Sequence, residues 1–468
     1  MFNNPLIDRY RYSLMRPSVV YVYLAIYLCL MTVIVLIGLA DVHFSGDFGR
    51  FFRGMFIAGL VIELILLWGW ASYNSGSVIR EEIAEKSYSF FRLLPLSACQ
   101  KTTGILVGKN LAVFILAVFN TLFVAAFGIL ASIDLNLQIQ IYLLIICVML
   151  FGSSFALLAS FGTPKKKIKS NPGVMMLIFA VFAMGPLIGG VIESVESGRL
   201  QNFLLSFYTA KAPVLIISSL IAAYFSCWAL KGIFRRFDRE REPLFTRWGS
   251  ILFLAGYIFI ALGLFFPKLG DDEFFNGYLI ATLAAIALLP IWSMRSYEDY
   301  LEKCGTLNGS GNSLSSGRVF RQSNLLHYAA FFAIWAIVSI GTAEYFLQET
   351  ARWAIYAGVM LTFYAVFVLL LELYVVYKPK SEKIGVMVAF LVGLIVVLPL
   401  IFAGVLENDA IILFSPAGFA IGFAESDNYV LWAIAAGLNI LITTVLAALI
   451  YPQYLNLLLL RRSMKATV

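Results

Sequence analysis

The sequence has 468 residues, of which 61% are hydrophobic and only 13% carry a charged side chain. Soluble domains of this size are about one-quarter charged because water must wet their surface, so the composition excludes an ordinary soluble protein. The net charge of +7 comes from basic residues that lie between apolar runs, and it does not indicate a nucleic-acid partner.

Apolar runs of about 20 residues, the length that crosses the hydrocarbon core of a bilayer as a helix, recur along the chain. These runs lack the alternation that is typical of strands in a membrane β-barrel. We therefore predict an all-α, polytopic membrane protein with about twelve transmembrane helices. The predicted spans are 18–40, 54–73, 110–132, 139–161, 173–192, 212–234, 249–266, 278–294, 328–347, 353–377, 384–405 and 429–453.

The distribution of Lys and Arg predicts the orientation, because these residues are retained on the cytoplasmic side of a membrane. With the amino terminus inside, the cytoplasmic segments hold 28 of the 34 basic residues. An even number of spans places both termini on the same side. We therefore expect an integral protein of the plasma (inner) membrane with cytoplasmic amino and carboxyl termini.

The predicted spans divide into two sets of six, carried by residues 1–234 and 235–468. Each half opens with a similar fragment, Pro5–Arg9 in the first and Pro243–Arg247 in the second, and the long cytoplasmic loop follows the second span in both. Because six is even, the two halves are expected to insert as parallel repeats. In the second half that loop contains a Gly- and Ser-rich stretch, 304–317, which is typical of a flexible tether.

The corresponding loop of the first half contains a charged stretch over about residues 80–94, which Pro95 ends. Charged and apolar residues mix there as in a helix that lies in the membrane interface. From the residues alone, this helix is either a solvated loop helix or a contact for a cytoplasmic partner. The residues available for such a contact are Arg80, Glu81, Glu82, Glu85, Lys86 and Arg92.

The segment 79–109 resembles a known family. It carries Glu82 and Glu85, then Pro95-Leu96-Ser97 and Gly108-Lys109, and the chain opens with Asn4-Pro5-Leu6-Ile7-Asp8-Arg9 before the first span. This order is similar to that in the membrane permeases of type-2 ABC exporters, particularly those with two six-span units fused in one chain. The resemblance covers residues 3–130 well and the remainder only by topology.

The resemblance implies that residues 80–94 form a coupling helix, and that a cytoplasmic ATP-binding subunit packs on it in two copies. Membrane lipid is the other expected partner. Residues 104–110 differ from a phosphate-binding loop, because three residues separate the glycines and Asn110 follows the lysine. The chain is therefore expected to be no enzyme and to hold no cofactor, with ATP and Mg²⁺ bound in the partner.

Two carboxylates fall inside predicted spans, Glu63 near the middle of the second and Glu372 in the inner third of the tenth. A carboxylate in hydrocarbon is costly, so both are expected to face the interior of the helix bundle or a cavity. For Glu63 three roles are open: structural hydrogen bonding, lining a substrate path, or proton coupling. No catalytic residue and no metal site are predicted.

The alternative function is that of an ion-gradient-driven secondary transporter, which also commonly has twelve spans in two halves. A membrane-embedded transferase would need clustered His, Asp or Arg beside the membrane, and the sequence has no such cluster. No residue pattern identifies the substrate.

Overall fold

The computed structural model describes residues 4–85, 87, 93–161, 204–238, 244–293, 324–348, 350–377 and 429–466. Helices make up nearly all of these ranges. The elements are α1 (Pro5–Leu14), α2 (Pro17–Ser45), α3 (Phe48–Leu64), a π-helical segment (Ile65–Trp70), α4 (Ala71–Ala84), α5 (Ala98–Gly108), α6 (Leu111–Leu130), α7 (Leu135–Ser160), β1 (Leu204–Phe207), β2 (Ala210–Pro213), α8 (Val214–Asp238), α9 (Arg247–Phe265), a 3-10 turn (Phe266–Lys268), α10 (Asp272–Ser293), α11 (Asn324–Leu347), α12 (Thr350–Tyr377) and α13 (Tyr429–Ala466).

A helix lies at every predicted span that falls within these ranges. Nine helices of the described chain are long and apolar enough to cross a membrane, which confirms a polytopic helical membrane protein. The predicted span 278–294 corresponds to α10, Asp272–Ser293. The predicted spans 173–192 and 384–405 and the loop 304–317 lie outside the described residues, so the total of twelve stays a prediction.

The chain divides into two compact units, Met1–Leu205 with Lys211–Glu240, and Ser206–Ala210 with Arg241–Val468. The division falls close to the boundary predicted between residues 234 and 235. That the two units are parallel six-helix repeats stays a prediction.

In the first unit, α3, the π-helical segment and α4 follow one another without a break from Phe48 to Ala84. Within the 36 residues from Phe48 to Ile83, a stretch of 18 residues has the hydropathy of a membrane span. At 1.5 Å per residue such a helix is about 54 Å long, about 24 Å more than the hydrocarbon core of a bilayer. One end of this long helix must therefore project from the membrane.

The end of α4 packs with α1, α5 and the last turns of α7 and α8. Their shared core, here called the basal cluster, is formed by the buried side chains of Leu6, Val78, Ile79, Ile105, Leu157, Ile233 and Phe237. Because α1 and α5 contribute to it, the short helices before the first and third spans are fixed to the same end of the long helix.

The second unit contains α9 to α13. Two hydrogen bonds join its buried helices: Trp335 Nε1 donates to Thr282 Oγ1 at 2.9 Å, and Ser250 Oγ lies 2.9 Å from His327 Nε2. One local element differs from the prediction, since β1 and β2 form a two-stranded hairpin just before α8. Strands of four residues are too short for alternation to reveal them.

Candidate functional site

The long helix of the first unit carries residues from both groups of predicted site residues. Glu63 lies in α3, while Arg80, Glu81 and Glu82 lie in the last turn of α4. Nineteen residues separate Glu63 from Glu82, which corresponds to about 28 Å of helix. With Glu63 near the middle of a core about 30 Å thick, Glu82 lies beyond the hydrocarbon.

Glu63 is 1% exposed and accepts hydrogen bonds from two residues of α6. Thr121 Oγ1 donates to Oε1 at 3.2 Å, and Asn120 Nδ2 donates to Oε2. Asn120 Nδ2 also donates to the carbonyl oxygen of Gly59 at 2.8 Å, and its Oδ1 accepts from the Tyr27 hydroxyl of α2 at 3.1 Å. Glu63, Asn120, Thr121 and Tyr27 are called the intramembrane cluster below.

The orientation of the Asn120 amide follows from its neighbours. Its Nδ2 faces two acceptors, the Gly59 carbonyl and the Glu63 carboxylate, whereas its oxygen faces a hydroxyl donor. Both donors to Glu63, the Asn120 amide and the Thr121 hydroxyl, are neutral groups. Within the described chain no Lys, Arg or His forms an ion pair with Glu63.

The π-helical segment begins two residues after Glu63. Helical turns of this kind are rare and occur frequently at functional sites. Trp68 in this segment and Ser72 after it lie against Gly152 of α7, where a Cβ would come within 2.5 Å of Ser72 Oγ and of Trp68 Cδ1. Trp68 Nε1 and Ser72 Oγ are buried and lack a hydrogen-bond partner among the described residues. This segment could not be predicted from the sequence, because nothing in Ile65–Trp70 distinguishes π from α geometry.

At the basal end, two adjacent carboxylates have different environments. Glu82 is 4% exposed, and its Oε1 lies 3.0 Å from a guanidinium nitrogen of Arg9 in α1. The Ser87 hydroxyl donates to its other oxygen. The side chain of Glu81 is 48% exposed and lies 2.6 Å from Lys109 Nζ. The long helix is thus joined by ion pairs to α1 and to the segment just before α6.

The predicted interfacial helix over about 80–94 needs correction at its start, because residues 80–84 are the end of the long helix. The second span was predicted to end near residue 73, where polar residues begin. Two of those polar side chains form hydrogen bonds with Asn110. Asn110 Nδ2 donates to Ser75 Oγ at 3.1 Å, and Asn74 Nδ2 donates to Asn110 Oδ1 at 3.2 Å. The helix therefore continues through them.

The other predicted contact residues have different outcomes. Glu85 is the exposed C-cap of α4, and Arg80 is half-buried. Lys86 and Arg92 lie outside the described residues. Whether any of these residues contacts a partner stays a prediction.

Helix α1 approaches α5 closely at two glycines. A Cβ at Gly104 would lie 2.7 Å from Leu6 Cβ, and one at Gly108 would lie 2.8 Å from Tyr10 Cδ2. Small residues four apart allow such close contact between helices. Burial, with a smaller contribution from Glu82, raises the pKa of the Tyr10 hydroxyl. The segment that looked like a phosphate-binding loop is therefore a helix-packing surface.

Glu372 lies in α12 of the second unit and is fully buried. The structure thus assigns the two predicted intramembrane carboxylates to different units. Within the described ranges, no group of three or more His, Cys, Asp or Glu residues is placed to hold a metal ion.

The chain matches no known family model, no curated protein and no solved structure. The resemblance to exporter permeases therefore stays a prediction from residues 3–130.

Proposed function

We propose that this chain is the membrane permease of an ATP-driven ABC exporter. It forms the translocation pathway and is coupled to two copies of a separate ATP-binding subunit. In this proposal it lies in the plasma membrane with both termini in the cytoplasm, and the basal cluster faces the ATPase. The resemblance of segment 79–109 supports this assignment.

The observation that carries the proposal is the unbroken helix from Phe48 to Ala84. Its basal end is held by the ion pairs of Glu82 with Arg9 and of Glu81 with Lys109. Coupling between distant sites is carried by rigid elements and packed networks. A partner that pushes on the basal end would thus move the helix segment that contains Glu63.

The exposure of the carboxylates suggests separate roles for them. Glu81 and Glu85 are exposed and are the proposed contacts for the ATP-binding subunit. Glu82 is buried against Arg9, so we assign it to positioning α1. Glu63 would then lie beside the translocation pathway, in the membrane-embedded part of the same long helix.

The test is copurification of the tagged, full-length chain with an ATP-binding protein, followed by measurement of ATPase activity. Charge reversal of an exposed contact, Glu85→Lys, is expected to reduce both by about tenfold, equivalent to 1.4 kcal/mol of binding free energy. The control Asp271→Lys reverses a charge on the side predicted to face outward, and it should leave both unchanged.

One result would contradict the proposal. If a proton or sodium gradient alone drives transport in vesicles that contain only this chain, the protein is an ion-gradient-driven secondary transporter. An equal loss of copurification in Glu85→Lys and Asp271→Lys would remove the assigned role of Glu85.

A further inference from the structure

We propose that Glu63 is a reversible proton-binding site in the membrane interior. This inference holds whichever energy source drives the protein, because it rests only on the intramembrane cluster. The ligand is a proton, and the group that binds it is the Glu63 carboxylate.

An ionised Glu63 carboxylate is costly in free energy at its position in the membrane interior. Glu63 is 1% exposed in the middle of a membrane-spanning helix, where an unpaired carboxylate is strongly disfavoured. Its hydrogen-bond donors, Asn120 and Thr121, are neutral and supply no compensating charge. Binding a cation is the remaining way to neutralise the carboxylate.

The second argument identifies that cation as a proton. A metal ion needs several oxygen ligands, but Asn120 presents its NH₂ group to Glu63 and directs its oxygen to Tyr27. An organic cation needs space, whereas the apolar side chains of these helices, among them Phe56, Val113 and Val124, are fully buried in one packed core. A proton requires neither additional ligands nor space.

The third argument is that the cluster can satisfy both states of the carboxyl group. When Glu63 is ionised, Thr121 Oγ1 donates to Oε1 and Asn120 Nδ2 donates to Oε2. When a proton adds to Oε1, the new O–H can donate to Thr121 Oγ1, while Asn120 still donates to Oε2. The Thr121 hydroxyl then needs an acceptor, and the Tyr142 hydroxyl of α7 lies close to it.

Among the described residues, no charged group competes with Glu63 for the proton. The titratable groups that face Glu63 from the packed helices are Tyr27 on α2 and Tyr142 on α7. Phenols are neutral at physiological pH, since their ordinary pKa is about 10. The residues that α6 contributes, Asn120 and Thr121, do not titrate.

Infrared difference spectroscopy of the full chain in lipid nanodiscs tests the proposal, because a protonated carboxyl group has a C=O stretching band that a carboxylate lacks. We expect the wild type to show such a band that appears as pH falls, and Glu63→Gln to lose that band completely. Glu82→Gln is the matched control, since it removes a buried carboxylate that is paired with a guanidinium. It should leave the band unchanged.

A second variant keeps the test decisive if Glu63→Gln does not fold. Glu63→Asp retains a carboxyl group, so the band should change its frequency and its midpoint of titration. Thr121→Val should also change the frequency, because it removes a hydrogen-bond partner of the acid. The proposal is overturned if no band depends on residue 63 at any pH at which the protein stays folded.

Discussion

Glu63 and Glu82 lie on the same continuous helix and are both almost fully buried, yet their partners differ in kind. Glu82 is paired with the guanidinium of Arg9 and with a serine hydroxyl. Glu63 is held by an amide and a hydroxyl, with no cation beside it in the described chain.

Their positions along the helix explain this difference. The side chain of Arg9 is 46% exposed, so the Glu82 pair forms where water lowers the cost of charge. In the hydrocarbon, a paired Lys or Arg would bring a second charge that also loses its hydration. Neutral donors avoid that cost and, unlike a fixed cation, leave the carboxyl group able to change its charge. A buried carboxylate at the basal end therefore positions another helix, whereas one in the membrane interior is suited to binding a ligand.

The largest effect is expected from Asn120→Leu, which removes the centre of the intramembrane cluster. Asn120 is fully buried and makes hydrogen bonds to Gly59, Glu63 and Tyr27. At about 1 kcal/mol for each bond, the substitution should lower the free energy of unfolding by about 3 kcal/mol. Unfolding in mixed micelles measures this loss, with the exposed Asn136→Leu as the control. A loss below about 1 kcal/mol would mean that the cluster contributes little to stability.

Arg9→Met should have the next largest effect, because it leaves the buried Glu82 carboxylate without its cation. Removing one partner of a fully buried pair costs about 3–5 kcal/mol, and the half-exposed side chain of Arg9 reduces this to about 2 kcal/mol. Arg11→Met, on the exposed face of the same helix, is the control. Adding Glu82→Gln to Arg9→Met should restore about half of the loss. If it restores none, the pair is not what stabilises the basal end.

Thr121→Val measures the hydrogen bond to one carboxylate oxygen of Glu63 alone, since it removes the donor to Oε1 and keeps the donor to Oε2. The side chains have nearly the same shape, so the expected loss is that of one hydrogen bond, about 1 kcal/mol. The same unfolding measurement applies, and the control is Thr32→Val, whose hydroxyl bonds only within its own exposed helix turn. A loss as large as that of Asn120→Leu would contradict the unequal roles assigned to the two donors.

The membrane spans and the burial of Glu63 could be predicted from sequence, because both depend on the local run of residues. Hydropathy over 20 residues determines whether a helix crosses a bilayer, and one acid in such a run is conspicuous. All ten predicted spans that fall in described ranges coincide with helices. The partners of Glu63 could not be predicted, because Tyr27 and Asn120 come from other spans and nothing local relates their positions.

The basal end was less predictable because tertiary contacts decide it. Glu81 and Glu82 are adjacent and identical in type, yet Glu82 is buried and pairs with Arg9 of the docked helix α1. The helix continues beyond the predicted end of the second span because Asn110, 35 residues beyond Ser75, hydrogen-bonds the polar turn of α4. Gly104 and Gly108 are visible in the sequence, but their function in packing appears only when α1 lies against them.

The smallest loss of stability is expected from Glu81→Gln. The comparison is with Glu82→Gln, which changes the adjacent but buried carboxylate. The side chain of Glu81 is 48% exposed, so its pair with Lys109 is screened and should contribute about 0.5 kcal/mol. Raising the salt concentration should remove most of the stability loss caused by Glu81→Gln, because the Debye length falls from about 10 Å at 0.1 M to about 3 Å at 1 M. The loss caused by Glu82→Gln should change little with salt, because its carboxylate is buried. Equal salt dependence in the two variants would mean that burial does not distinguish these carboxylates, and that Glu82, like Glu81, is available to a partner.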